Sequence, residues 1–282
     1  MRSVKFLVAA GAASLLSSAA FAADMPSIMP APQPYYAPPA QEYGGWYLRG
    51  DIGMTNSTGK LFNNNYATVP AGGLQQLGEG FTGGTSYGVG VGYQFNSWFR
   101  ADITGEYRSR VSFSGTDIAT FPGAAFSDVY SGGYTSWVGL VNAYADLGTW
   151  WCLTPFVGVG VGAANIRTTG LQDSGSNFTP GGGAVGGASY FANGASVTNF
   201  AWAAHAGVAY KVNNNFTVEL AYRYLDMGTA SHGFGSSFDG SNAGPSSFQF
   251  RDLTSQDVKL GVRWTCCDVE PAPPPPPLIR KG

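Results

Sequence analysis

Charged side chains in this chain recur at every second position of short segments, which places them on one face of an extended strand. Arg49 and Asp51 form one such set, and Arg100, Asp102, Glu106 and Arg108 form a denser one. Glu219 with Arg223, and Lys259 with Arg263, complete it, with Asp146 and Lys211 expected on the same side. Mixed signs on one enclosed face neutralise one another, so the chemistry predicted is a structural ion-pair network. A narrow conducting path lined by charge is the functional alternative. Acid–base catalysis has little to work with, because the two imidazoles, His205 and His232, have no nucleophile set beside them. His205 is expected to point inward from a strand, and His232 to sit solvated on a loop near Asp226 and Asp239. The Asp226 to Asp239 segment lacks the ligand spacing of a calcium loop, and Gly181-Gly182-Gly183 reads as flexible loop with no phosphate-cradling context. No enzyme, cofactor or metal is expected.

The elements that carry these residues are set by composition. Charged residues make up only 11% of the chain, against about 25% in ordinary soluble domains. Beyond the N-terminus no stretch supplies the ~20 consecutive apolar residues of a membrane helix. Aromatics at 14% and 41 glycines suit strands and close backbone approach, and a net charge of -2 offers no basic surface for nucleic acid. Arg2 and Lys5 precede an apolar run that ends in Ala20-Phe21-Ala22, which predicts a signal peptide over residues 1–22. Residues 23–43 read as a proline-rich periplasmic linker, 44–267 as the ordered domain and 268–282 as a second proline-rich tail.

Within the domain, alternation at period two predicts eight strands. Trp46, Leu48, Ile52 and Met54 oppose Tyr47, Arg49 and Asp51 on the first. Phe81, Tyr87, Val89, Val91, Tyr93 and Phe95 oppose Ser86, Gly88, Gly90, Gly92 and Gln94 on the second. Phe99, Ala101, Ile103 and Tyr107 oppose the four charges of the third. The fourth is ambiguous in register, and the reading favoured turns Asn142 and Asp146 inward. Val157, Val159 and Val161 mark the fifth, Phe200 to Val212 the sixth, Phe216 to Tyr224 the seventh and Val258 to Trp264 the eighth. The segment from Gly90 to Asn96, with Phe99, Asp102 and Tyr107, recurs at constant offset from Gly207 to Asn213, with Phe216, Glu219 and Tyr224. Two equivalent hairpins are therefore expected. Short turns near Asn96, Gly148 and Asn214 alternate with long polar segments, about 55–80, 109–133, 167–198 and 228–250, read as loops.

Alternation alone also fits a soluble barrel, and side-chain size decides between the two. An eight-stranded lumen accommodates the glycines and charges, whereas the large aromatics fit lipid. Tyr43, Trp46, Tyr93, Trp98, Phe99, Trp150, Trp151, Tyr210, Phe216 and Trp264 gather near one interface. The fold expected is an all-β, eight-stranded antiparallel up-and-down transmembrane β-barrel in the Gram-negative outer membrane, with both termini periplasmic. Cys152, Cys266 and Cys267 then share the periplasmic end, where Cys152 is a candidate disulfide partner for either of the others.

Several segments carry a family likeness: Trp46 to Gly53, Asn142 to Gly148, Thr154 to Gly160 and Leu260-Gly261-Val262-Arg263-Trp264. In their order the chain resembles outer-membrane barrels typified by the OmpA transmembrane domain, and specifically the RopB-like surface antigens of alpha-proteobacteria. Lys259, Gly261 and Trp264 resemble the assembly signal of a last strand, with Cys266 where a terminal phenylalanine is usual. The resemblance implies a role in envelope integrity and surface interaction. It implies as partners outer-membrane lipid, lipopolysaccharide, the barrel-assembly machinery and an unidentified external ligand. The alternatives are a small-solute channel and, since some relatives bind haemin, a surface haemin binder using His232, Tyr66 and Tyr130.

Overall fold

Strict alternation of large apolar with small or charged side chains gives long antiparallel strands. The computed structural model describes residues 44–179 and 183–266, so the signal, linker and tail readings and Cys267 lie outside the described residues. In chain order the strands are β1 (Gly45–Asn63), β2 (Leu74–Phe81), β3 (Gly84–Gln94), β4 (Phe99–Phe121) and β5 (Ala124–Asp146). They continue with β6 (Leu153–Thr168), β7 (Leu171–Phe178), β8 (Ala184–Ala192), β9 (Ser196–Lys211) and β10 (Phe216–Ser231). Last come β11 (Phe234–Ser237), β12 (Gly244–Pro245) and β13 (Phe248–Thr265).

Eight of these close a ring in the order β5, β6, β9, β10, β13, β1, β3, β4, with β4 pairing back onto β5. Closure leaves no strand edge in the lipid-facing zone, the condition a sheet must meet to cross a bilayer. The outward faces carry Val89, Ile103, Val159, Leu220 and Leu260, each at least half exposed. At the short-turn end an aromatic ladder runs through Trp46, Tyr93, Phe95, Phe99 and Trp98, with successive ring centroids 5.1–5.6 Å apart. At the other edge of the apolar belt stand the Tyr107–Trp137 and Trp202–Tyr224 pairs, at 5.0 and 5.3 Å. Two such girdles bracket a hydrocarbon layer.

The two repeated segments fold alike. Asn96 Oδ1 accepts from the backbone N–H groups of Trp98 and Phe99, and Asn213 Oδ1 accepts from those of Asn215 and Phe216. Each asparagine closes a tight turn with its own side chain, which fixes turn length and register in both hairpins.

Beyond the second girdle the structure corrects the sequence reading. The four segments expected as loops are largely strand: β4 runs on from Tyr107 to Phe121, about 45 Å of further strand. β5 matches it, β2 adds to the edge of β4, and β7, β8, β11 and β12 build a wing from β5. Phe81, expected on the second strand of the ring, belongs instead to β2 and packs inward against Phe113 and Phe250. The physical reason is a reversal of sense. In the belt polar groups face in and apolar groups face lipid, whereas above it Val111 and Phe113 face in and Ser112 and Ser114 face out. Register breaks lie at the changeover, between Arg108 and Val111 on β4, at Gly228 on β10 and at Asp252 on β13. Gly228 (φ 76°) and Asp252 (φ 55°) take the left-handed conformation there, and each break shifts which residues point inward.

Candidate functional site: the lumen

Eight strands enclose a space that side chains fill, and small residues on β3 and β6 make room for large ones opposite. The Tyr47 ring occupies the place a Cβ on Gly92 would take, and the Asn142 amide does the same at Gly160. Into that space project six cations, Arg49, Arg100, Arg108, Arg223, Lys259 and Arg263, and six carboxylates, Asp51, Asp102, Glu106, Asp146, Glu219 and Asp257. The ten network residues picked out as sites from the sequence, and Asp146 with them, all point into the lumen.

Near the short-turn end Glu219 is the hub. Its carboxylate lies 3.4 Å from Arg100, 3.5 Å from Arg263 and 3.7 Å from Arg49. Arg100 also meets Asp146 at 3.2 Å, with its guanidinium over the rings of Tyr144 and Phe156 at 4.3 and 4.8 Å. Asp102 takes hydrogen bonds from Arg49 (2.9 Å), Tyr47 (3.1 Å) and Asn142 (2.8 Å). Closer to the second girdle Glu106 and Asp257 are the hubs. Glu106 binds Arg223 and Lys259, each at 2.6 Å, and Arg108 at 3.0 Å. Asp257 binds Arg223 at 2.6 Å and Arg108 at 2.8 Å. Lys259 joins the halves through Asp51 at 2.5 Å, and Asp51 in turn meets Arg49 at 3.6 Å.

Two corrections follow, and together they balance the charge. Lys211, expected inward, is exposed at the short-turn end. Asp257, missed in the sequence, is fully buried. Its signal lies in the sequence, since it shares strand parity with Lys259 and Arg263, but the apolar alternation of the last strand begins only at Val258. Equal numbers of opposite charges are what a low-dielectric enclosure requires, because a net buried charge costs several kcal/mol per ion.

Above the ion pairs the lumen turns apolar. Phe81, Phe113, Tyr134 and Phe250 interlock with centroids 4.9–6.4 Å apart, within a buried cluster that includes Leu140, Ile166, Leu225, Met227 and Leu253. His232, expected solvated, is only 5% exposed and stands edge-on to Phe250 at 5.0 Å. Burial brings its pKa down to about 4, which keeps the ring neutral. Tyr130 is also buried and donates to Asp117 at 2.8 Å. Neither is a surface ligand, so the haemin reading loses two of its three proposed groups. His205 lies inside the ring beside Tyr144, with centroids 5.4 Å apart. Cys152 and Cys266 are separate free thiols, so of the two pairings the sequence left open for Cys152 the one with Cys266 is not formed, and Cys267 lies outside the described residues. Of the three assembly-signal residues, Lys259 and Gly261 lie on the lumen side and Trp264 on the outer face.

Residues 8–265 match the family described as outer membrane protein beta-barrel domain. The chain belongs to that family. An uncharacterised protein of Brucella suis is 32% identical and aligns over 74% of this chain and 76% of its own length. The outer membrane protein PagN of Salmonella typhimurium is 28% identical over 60% of this chain and 64% of its own. Among solved structures, OprG of Pseudomonas aeruginosa (14% identity, TM-score 0.40) covers 79% of this chain and 96% of its own. Neisserial surface protein A (16%, TM-score 0.37) covers 78% and 96%.

Proposed function

We propose that this family member is a structural and surface-presenting barrel of the outer membrane whose lumen does not conduct solute. The observation that carries the reading is the neutral set of six cations and six carboxylates, capped by the Phe81–Phe113–Phe250 cluster. A pore for small solutes needs a continuous hydrated path, whereas here long side chains bridge the ring at successive heights and dry aromatics follow. Rigid closure suits a scaffold that holds the sheet above the second girdle. An even number of ring strands returns both described ends to the short-turn side, which supports a periplasmic placement of that side and an external placement of the extended sheet. Lys259, Gly261 and Trp264 are proposed as the assembly-machinery signal, and the extended sheet as the surface that meets an external ligand.

Planar-bilayer recording on the purified, refolded protein tests this. The expected result is no stable conductance on the nanosiemens scale and no uptake of sugar-sized solutes into liposomes. Steady single-channel steps would replace this reading with the small-solute channel.

A further inference from the structure

Outward-facing cations are scarce on this barrel, and two of them share one face. Arg110 on β4 and Arg167 on β6 are both exposed, and among the described residues neither guanidinium has an ion-pair partner. Every carboxylate of β4 and β5 has the parity of the interior (Asp102, Glu106, Asp117, Asp128, Asp146), and β6 and β9 carry none. The two arginines flank Thr135, which pairs directly with Arg167, while Arg110 sits in the register break opposite it. Immediately on the lipid side of this row lie Tyr107, Trp137 and Asn165, themselves cross-strand partners. Between the rows is a groove of about 580 Å³ lined by Tyr107, Thr135, Trp137, Asn165, Arg167 and Ser196. A second depression, of about 560 Å³, adjoins Arg110 and is edged by Ser112, Ser114 and Ser131.

We propose that this groove is a binding site for the phosphate-bearing headgroup of a lipid in the membrane leaflet at the extended end. Arg110 and Arg167 hold phosphate oxygens, and the Tyr107–Trp137 pair seats the top of the acyl region. Three features favour a lipid over a soluble anion. The groove begins at the aromatic girdle, where acyl chains end and headgroups start. Its floor continues into Trp137, Val141, Val159 and Val161, all exposed and apolar. Unpaired guanidiniums supply fork-shaped donors matched to phosphate, with no competing carboxylate among the described residues of that face. The rest of this level differs, since Lys60 and Arg251 share their side of the ring with Asp252 and Asp226. The proposal goes beyond the closed-lumen reading and does not depend on it, because the groove is on the outer wall; conductance tests one and lipid retention the other.

The test is native mass spectrometry of the full mature protein taken from phosphatidylcholine nanodiscs that hold a minority of bisphosphorylated lipid A, with dephosphorylated lipid A in a parallel set. Wild-type protein should retain the phosphorylated lipid selectively. Arg110→Gln with Arg167→Gln should reduce that retention roughly tenfold to thirtyfold, and Lys211→Gln, at the opposite end of the belt, should leave it unchanged. Millimolar inorganic phosphate should not displace the lipid. Equal retention of the two lipids by the wild-type protein would overturn the proposal whether or not the double variant folds. Displacement by free phosphate, or full retention by a folded double variant, would overturn it as well.

Discussion

Arg108 and Asp257 come from strands separated in the ring by β1 and β3, yet their side chains meet in a two-pronged ion pair, Nη1 to Oδ2 at 2.8 Å and Nη2 to Oδ1 at 3.0 Å. The pair is a strut across the lumen. Arg223 completes it from β10, opposite Asp257 in the β10–β13 ladder. Asp257→Ala leaves two buried guanidiniums short of a partner, a loss of about 3–5 kcal/mol. The double variant Arg108→Ala with Asp257→Ala should lose less than the sum of the two single variants. Urea unfolding in detergent, followed by the mobility difference between boiled and unboiled protein, measures both. Additive losses would show that the two residues are not coupled.

Glu219 and Glu106 each serve three cations and should behave alike. Glu219→Ala and Glu106→Ala are expected to lower thermal stability without opening a large pore, since the aromatic cluster above is untouched. Thermal melts paired with bilayer recordings check this. A variant that melts as the wild type does, or one that conducts strongly, contradicts it.

Phe250 is fully buried and touches Phe81, Phe113, Tyr134 and His232. Phe250→Ala should cost about 3–5 kcal/mol, felt mainly in the sheet above the girdle, because the belt is held by lipid and by the ion pairs. Amide exchange should speed up in β2, β7 and β8 while β3 and β9 stay protected. Uniform acceleration would mean that the two levels unfold as one.

Acidity should tighten the extended sheet. Asp117 and Asp128 are direct cross-strand partners on β4 and β5, and Asp173 lies on β7, opposite Tyr130. Burial, then the neighbouring Asp117 charge, pushes Asp128 up to about 6. Burial, then Asp128 and Asp117, pushes Asp173 up to about 7. Glu79 on β2 is raised by burial and by Asp117 too. The folded sheet therefore holds more protons than the unfolded one between the ordinary carboxylate range and these values. The stabilisation is full below that range and is lost as pH rises through about 6 to 7. Amide exchange in β7 should be slower at pH 5 than at pH 8 after correction for intrinsic rates, and Asp128→Asn should shrink the difference. Exchange that is slower at pH 8 would reverse the sign and defeat the argument.

Except on β5, where both parities carry apolar residues, sequence alone determined which side chains face lipid and which face inward within the belt, because period-two alternation ties each residue to a face and no partner need be known. Val89 against Gly88 and Gly90, and Ile103 against Asp102, were legible for that reason. So were the twin turns at Asn96 and Asn213, whose capping is local. Two things waited for the tertiary structure. One was the sheet above the second girdle: past the lipid the alternation changes sense, and the register breaks near Arg110, Gly228 and Asp252 interrupt it, so strands with serine and glycine on their solvent face resembled loops. The other was the pairing of charges. Asp257 reaches Arg108 across 149 positions of chain, and Lys211 leaves the lumen only because its strand ends there. A strand's periodicity fixes direction, but which charge meets which is decided by closing the ring.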